Sequence, residues 1–355
     1  MLMASIVADG YFIRLTEERS AQMLTRRLLS LTVLVVAATA MTACGGGNDG
    51  SGAGGSNAKA ATAPRIRLEV VTHGQASAPF WAVAKKGVDQ AAKDMGVTVH
   101  YQAPDKFDMV RMSQLIDAAV ATKPDGLAVS IPDAKALGPA IRRAVKAGIP
   151  VVSLNSGADV YKSLGILAHV GQEEYPAGLA AGQRMGAQGI RNALCLNGEI
   201  GNKALDDRCR GFADALKKTG GKVKEVGVKL ADPQGTQQTT QAAIAANHPD
   251  AIFNTTNAVA IPALKAIKAT GNAGKIKEAT FDLGPDELKA VQDGEMEFAI
   301  DQQEYLQGYL PIVMLASYKR YGVMPGLGSV IQTGPAFVGK DTSGQVIELS
   351  KQGYR

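Results

Sequence analysis

DGLAVSIPDAKALGPAIRRAVKAGIPVVSLN, residues 125–155, decides the architecture. Residues 126–131 are apolar apart from Ser130, as a strand buried on both faces should be. Residues 134–147 carry a helical pattern, and Gly148-Ile149-Pro150 then breaks the chain before a second apolar strand over 149–154. One strand, one helix and one strand in about thirty residues is the unit from which parallel sheets are built.

The same unit recurs in both directions. Upstream, residues 66–72 and 97–102 read as strands and 80–95 and 109–122 as helices. Downstream, strands are expected at 193–197, 223–229, 251–254 and 278–282, with helices at 204–219, 236–246 and 259–270. A long helix over 305–321 and short strand-like pieces at 329–332 and 336–338 complete the chain. Alternation at this spacing predicts an α/β protein with helices on both faces of parallel sheets. The strands are too many for one small sheet, so two Rossmann-like lobes are expected. The first takes residues 65–168 plus 304–330, the second 169–303 plus 331–355.

The N-terminal region belongs to neither lobe. Arg26 and Arg27 precede an apolar run over 31–43 that ends in Met41-Thr42-Ala43-Cys44. A basic start, a short apolar stretch and small residues before a cysteine read as a secretion signal, residues 1–43, with translation starting at Met23. The run is short of the roughly 20 apolar residues that a spanning helix needs. Cys44 is the expected lipid-attachment residue, and residues 44–64, rich in Gly, Ser, Asn and Ala, read as a flexible tether. The expected location is the periplasm or the outer face of the cytoplasmic membrane.

Of 355 residues, 38 are Lys or Arg and 33 Asp or Glu, a net charge of +5. The globular part has no basic run and no basic–aromatic alternation, which argues against nucleic acid. His73, His100, His169 and His248 share no metal-ligand spacing, so neither metal nor cofactor is expected. Beyond Cys44 the cysteines are Cys195 and Cys209. An even pair in an oxidising compartment favours a disulfide; two buried thiols are the alternative.

In open parallel sheets the ligand sits beyond the carboxyl ends of the strands. Those ends carry His73 to Trp81, Asn155 and Ser156, Asn197 to Asp206, Asn254 to Asn257, Asp282, and Asp301 to Gln303. Amides, carboxylates and hydroxyls beside the adjacent aromatics Phe80 and Trp81 suit a neutral polyhydroxylated ligand, whose hydroxyls both donate and accept.

Pro79-Phe80-Trp81, Asp125-Gly126-Leu127, Gly148-Ile149-Pro150-Val151-Val152, Gly211-Phe212 and Phe281-Asp282, in this order, resemble the type I periplasmic sugar-binding proteins, the ribose-binding branch in particular. The resemblance covers residues 65–339. It implies two lobes joined by a three-strand hinge, closing on a sugar or polyol and delivering it to an ABC permease of the inner membrane, with the protein acting as a monomer. By position it places Phe80 and Trp81 against the sugar ring. It places Asn155, Asp206, Thr256 or Asn257, Asp282 and Gln302 on the hydroxyls, and Asn202, beyond the strand at 193–197, joins Thr256 and Asn257 among the candidate contacts. Ribose binders carry Asp-Arg where this chain has Asn155-Ser156, Arg where it has Asp206, and Asn where it has Ala78. Two guanidinium groups are therefore expected to be missing, which points away from ribose toward another pentose, a deoxy or branched sugar, or a sugar alcohol. His73 or Gln75 is a further candidate in the enlarged first loop.

A sensor that presents the same ligand to a signalling receptor fits these residues equally. An enzyme does not, because no motif frames a nucleophile–base pair or a carboxylate pair.

Overall fold

The computed structural model describes residues 65–74 and 78–355. The expected signal, Cys44, the tether and Gln75 lie outside the described residues.

Twelve strands and ten α-helices alternate through the described chain. The first sheet contains β1 (Arg67–Val71), β2 (Thr98–Gln102), β3 (Gly126–Val129), β4 (Val151–Asn155), β5 (Ala168–Gly171) and β11 (Val330–Gln332), in the order β11-β5-β4-β3-β1-β2. Every pairing in it is parallel. The second sheet contains β6 (Asn192–Asn197), β7 (Lys222–Gly227), β8 (Ala251–Asn254), β9 (Lys277–Phe281), β10 (Phe298–Asp301) and β12 (Ala336–Val338), in the order β12-β10-β9-β8-β6-β7. Only β12 runs antiparallel. The fold is the expected pair of α/β lobes.

The chain crosses between sheets three times: after β5, after β10, and between β11 and β12. The lobe boundary expected after residue 168 falls inside β5, and the one after 330 falls inside β11. In both places the strand continues until its ladder with the neighbouring strand is complete, at Gly171 and Gln332.

Helix starts follow from side-chain capping. Asp108 accepts from the Arg111 N–H ahead of α2 (Met109–Ala121), and Asp133 accepts from the N–H groups of Lys135 and Ala136 ahead of α3 (Ala134–Lys146). In the first lobe α1 (Pro79–Asp94) packs against α9 (Glu304–Tyr321). In the second, α4 (Glu174–Ala187) lies on α5 (Lys203–Lys218). A Cβ on Gly178 would lie 2.2 Å from the Arg208 carbonyl oxygen, and one on Gly211 would lie 2.2 Å from the Tyr175 carbonyl oxygen. Glycine at both places lets the two backbones touch, and this fixes where Arg208 stands. Cys195 on β6 and Cys209 on α5 form a disulfide, pinning α5 to the sheet. The remaining helices are α6 (Pro233–Asn247), α7 (Asn257–Ala269), α8 (Pro285–Asp293) and α10 (Lys340–Lys351). Among the described residues no helix is long and apolar enough to cross a membrane.

Candidate functional site

The carboxyl ends of both sheets meet at a cavity of about 60 Å³. Seven of the nine expected contacts line it: Phe80, Trp81, Asn155, Thr256, Asn257, Asp282 and Gln302.

Each is held by the local backbone. Trp81 sits in the first turn of α1, 6% exposed, edge-on to His73 at 4.8 Å and to Phe80 at 4.9 Å. A Cβ on Gly74 would meet the indole Nε1 at 1.8 Å, so only glycine leaves room for the ring. Asn155 ends β4 and Asp282 follows β9, at φ of 61° and 69°. These are left-handed conformations, which Asn and Asp tolerate better than most residues. Each turns its side chain out of the strand and into the gap between lobes.

A hydrogen-bonded chain crosses the hinge beneath the cavity. Asn155 Nδ2 donates to Gln307 Oε1 at 3.2 Å. Gln307 Nε2 donates to the Gln302 carbonyl and to Thr333 Oγ1, both at 3.1 Å. Gln302 Nε2 donates to Asp282 Oδ1. The amide floor therefore ties one lobe's ligand face to the other's. Thr256 lines the cavity, and its Oγ1 is buried without a hydrogen-bond partner.

A guanidinium outside the expected set lines the cavity. Arg208, 2% exposed, lines the cavity from α5. Its Nε and Nη2 donate to Glu174 at 2.7 and 3.1 Å, and its Nη1 donates to the Thr255 carbonyl at 2.7 Å. The Phe281 ring lies 4.1 Å beneath the guanidinium carbon. Arginine has five N–H donors, so one remains on each terminal nitrogen. Arg208 is not among the residues that the sequence reading singles out. Yet Leu205, Arg208, Cys209 and Phe212 share one buried helix face, and that spacing was legible.

Asp206, one residue on from Leu205, falls outside the cavity lining. It is half-buried and accepts from Asn197 Nδ2 at 2.9 Å. The cause is helical rotation: about 100° per residue separates it from the face that carries Leu205 and Arg208. Asn202 does not line the cavity either. It caps α5 by accepting from the Ala204 N–H, and it donates to Glu199 at 2.8 Å.

Two residues not among the nine stand beside it, His73 and Glu199. His73 Nε2 reaches across from the first lobe to within 3.5 Å of Asn202 Nδ2 and 3.7 Å of Glu199 Oε2. The Lys203 N–H donates to the Pro132 carbonyl nearby at 3.0 Å. The lobes are thus in contact beside the cavity.

Burial dominates the electrostatics. It pushes the Asp282 carboxyl up to about 6, with the Arg208 charge and the Gln302 amide pulling the other way. It lifts Glu199 to about 7 and lowers His73 to about 3, leaving that imidazole neutral. Arg208 pairs with Glu174, and its charge also acts on the Asp282 carboxyl. Among the described residues no group of three or more His, Cys, Asp or Glu could hold a metal.

Comparison with known proteins adds four findings. The profile of the periplasmic binding protein domain family matches residues 68–322. A carbohydrate transporter from Acidothermus cellulolyticus 11B, solved in complex with myo-inositol, superposes with a TM-score of 0.78 at 35% identity, covering 82% of this chain and 100% of that one. The xylose/arabinose-binding protein of Sulfolobus acidocaldarius is 26% identical over 68% of this chain but only 63% of its own length. The D-allose-binding periplasmic protein of Escherichia coli is 27% identical over 64% of this chain and 76% of its own.

Proposed function

Because this chain belongs to the periplasmic binding protein family and has its two-lobe type I fold, we propose that it captures an uncharged polyhydroxylated ring between its lobes and delivers it to an ABC permease. The observation that carries the reading is the set of groups around one cavity between the lobes. Arg208 has spare N–H donors and Asp282 accepts. Thr256, Asn257, Asn155 and Gln302 can each do both, and Trp81 and Phe80 form an apolar wall. Each such hydrogen bond contributes about 0.5–1.5 kcal/mol net, so selectivity comes from satisfying many together. Guanidinium and carboxylate on neighbouring sides of a ring suit adjacent hydroxyls, and a cyclitol offers these all round. The 35% identity to a protein crystallised with myo-inositol supports placing a cyclitol first and a pentose or hexose second. The protein acts as a monomer outside the cytoplasm, held at the membrane through Cys44; a Cys44→Ser chain should be released into the medium.

Trp81 is the only tryptophan of the chain, so its fluorescence reports on the cleft alone. Titration with myo-inositol, D-xylose, D-ribose and D-allose should give a saturable change with at least one, confirmed by calorimetry. No response to any neutral polyol, with a response to a carboxylate or amine ligand instead, would refute the reading.

A further inference from the structure

The pole of the first lobe farthest from the cleft has a composition that ligand capture does not require. The parallel register puts the amino ends of β1 to β5 along one edge, opposite the cavity. Arg65, Lys93, Lys123, Lys146, Lys319 and Arg320 are all exposed around that edge. Arg65 Nε donates to the Gly96 carbonyl at 3.4 Å, and Arg320 donates to the adjacent Met95 carbonyl, so these cations stand side by side. Asp94 and Asp125 are the carboxylates among them, and Asp125 is paired with Lys319 at 2.9 Å.

Helix ends account for part of this. Lys93, Lys146, Lys319 and Arg320 lie in the last turns of α1, α3 and α9, where the helix dipole favours cations. The dipole does not account for the apolar side chains. Tyr321, Val323 and Leu327 are 71, 59 and 59% exposed, three of the seven exposed large apolar residues in the described chain, all within one short segment. That segment is bound to the same pole, since the Gly328 N–H donates to the Leu167 carbonyl at 2.7 Å and Tyr161 donates to the Gly328 carbonyl at 2.9 Å. A groove of about 400 Å³ opens beside it, bordered by Tyr318 and Lys319.

We propose that this pole docks on an anionic phospholipid surface, the cations meeting headgroup phosphates while Tyr321, Val323 and Leu327 enter the interfacial layer. Cations ringing a few exposed apolar side chains is the chemistry of interfacial binding.

Residues 62–355 form one compact unit and are the species to test, free of the apolar leader. Flotation with vesicles of equal parts phosphatidylglycerol and phosphatidylcholine should give at least about tenfold more binding than phosphatidylcholine alone, falling with added salt. Lys93→Glu with Lys146→Glu should lower it about tenfold. Tyr321→Ser with Val323→Ser and Leu327→Ser should lower it by a similar factor on the same vesicles, with melting and ligand titration unchanged. Equal binding to both vesicle types, no binding to either, or binding untouched by both variants would overturn the proposal.

Discussion

Arg208→Met removes a guanidinium that has two duties, and the structure allows them to be separated. In the single variant Glu174, whose side chain is 7% exposed, keeps only the Gln172 amide as a donor, at 2.8 Å. The Thr255 carbonyl loses its bond as well. Breaking a buried pair from one side costs about 3–5 kcal/mol, because a charge is left behind without compensation. The second substitution, Glu174→Gln, removes that stranded charge. The double variant should therefore recover most of the lost stability, since replacing both members of a buried pair is often close to neutral. Affinity should not recover. Two charge-assisted bonds to ligand hydroxyls, at about 1.5–3 kcal/mol each, amount to at least a hundredfold in Kd, by the rule of about 1.4 kcal/mol per factor of ten. Urea unfolding followed by Trp81 fluorescence measures the first quantity, and calorimetry with the best ligand of the panel measures the second. A double variant that binds like the parent would show that Arg208 only supports the fold. A single variant as stable as the parent would show that the Glu174 pair is not sealed from water.

Asp282→Asn should abolish binding while raising the stability of the free protein near neutral pH. The folded carboxyl sits at about 6, above its ordinary value. Ionisation therefore disfavours folding, and the parent's deficit is absent below the unfolded pKa and grows as pH rises from about 4 to 6. Unfolding curves at pH 4 and pH 7 should show the gain only at the higher value. Cys195→Ser with Cys209→Ser should cost about 3 kcal/mol, the loop-closure contribution for cysteines 14 residues apart, and mass spectrometry without reductant checks the bond itself. Gly74→Ala should displace the indole its Cβ would strike, shifting Trp81 emission and weakening binding. Asp206→Ala should leave affinity unchanged, because that carboxylate is bonded to Asn197 outside the cavity lining; a marked loss would restore it to the site.

The misreadings share a cause. Strands β5 and β10 were passed over although each is buried along its length. Four residues give too short a pattern to separate from a loop, and the neighbouring strand sets their extent. Helix α4 was missed because Pro176, Gly178, Gly182 and Gly186 are poor helix formers. Those glycines are there for contact with α5, a tertiary reason that outweighs propensity. Asp206 was chosen over Arg208 by counting from a resemblance, while the helical face, set by packing on Phe281, selects the arginine.

Alternating apolar strands and capped helices, the aromatic pair after β1, and acids and amides at strand ends are local patterns, and the sequence by itself determined from them a two-lobe α/β protein with a polar cleft. Which side chains converge was decided only by the tertiary structure. Convergence depends on helix rotation, on close approach of α4 to α5, and on the hinge chain from Asn155 through Gln307 and Gln302 to Asp282. These bring together residues far apart in the chain, and no local window of sequence contains such distances.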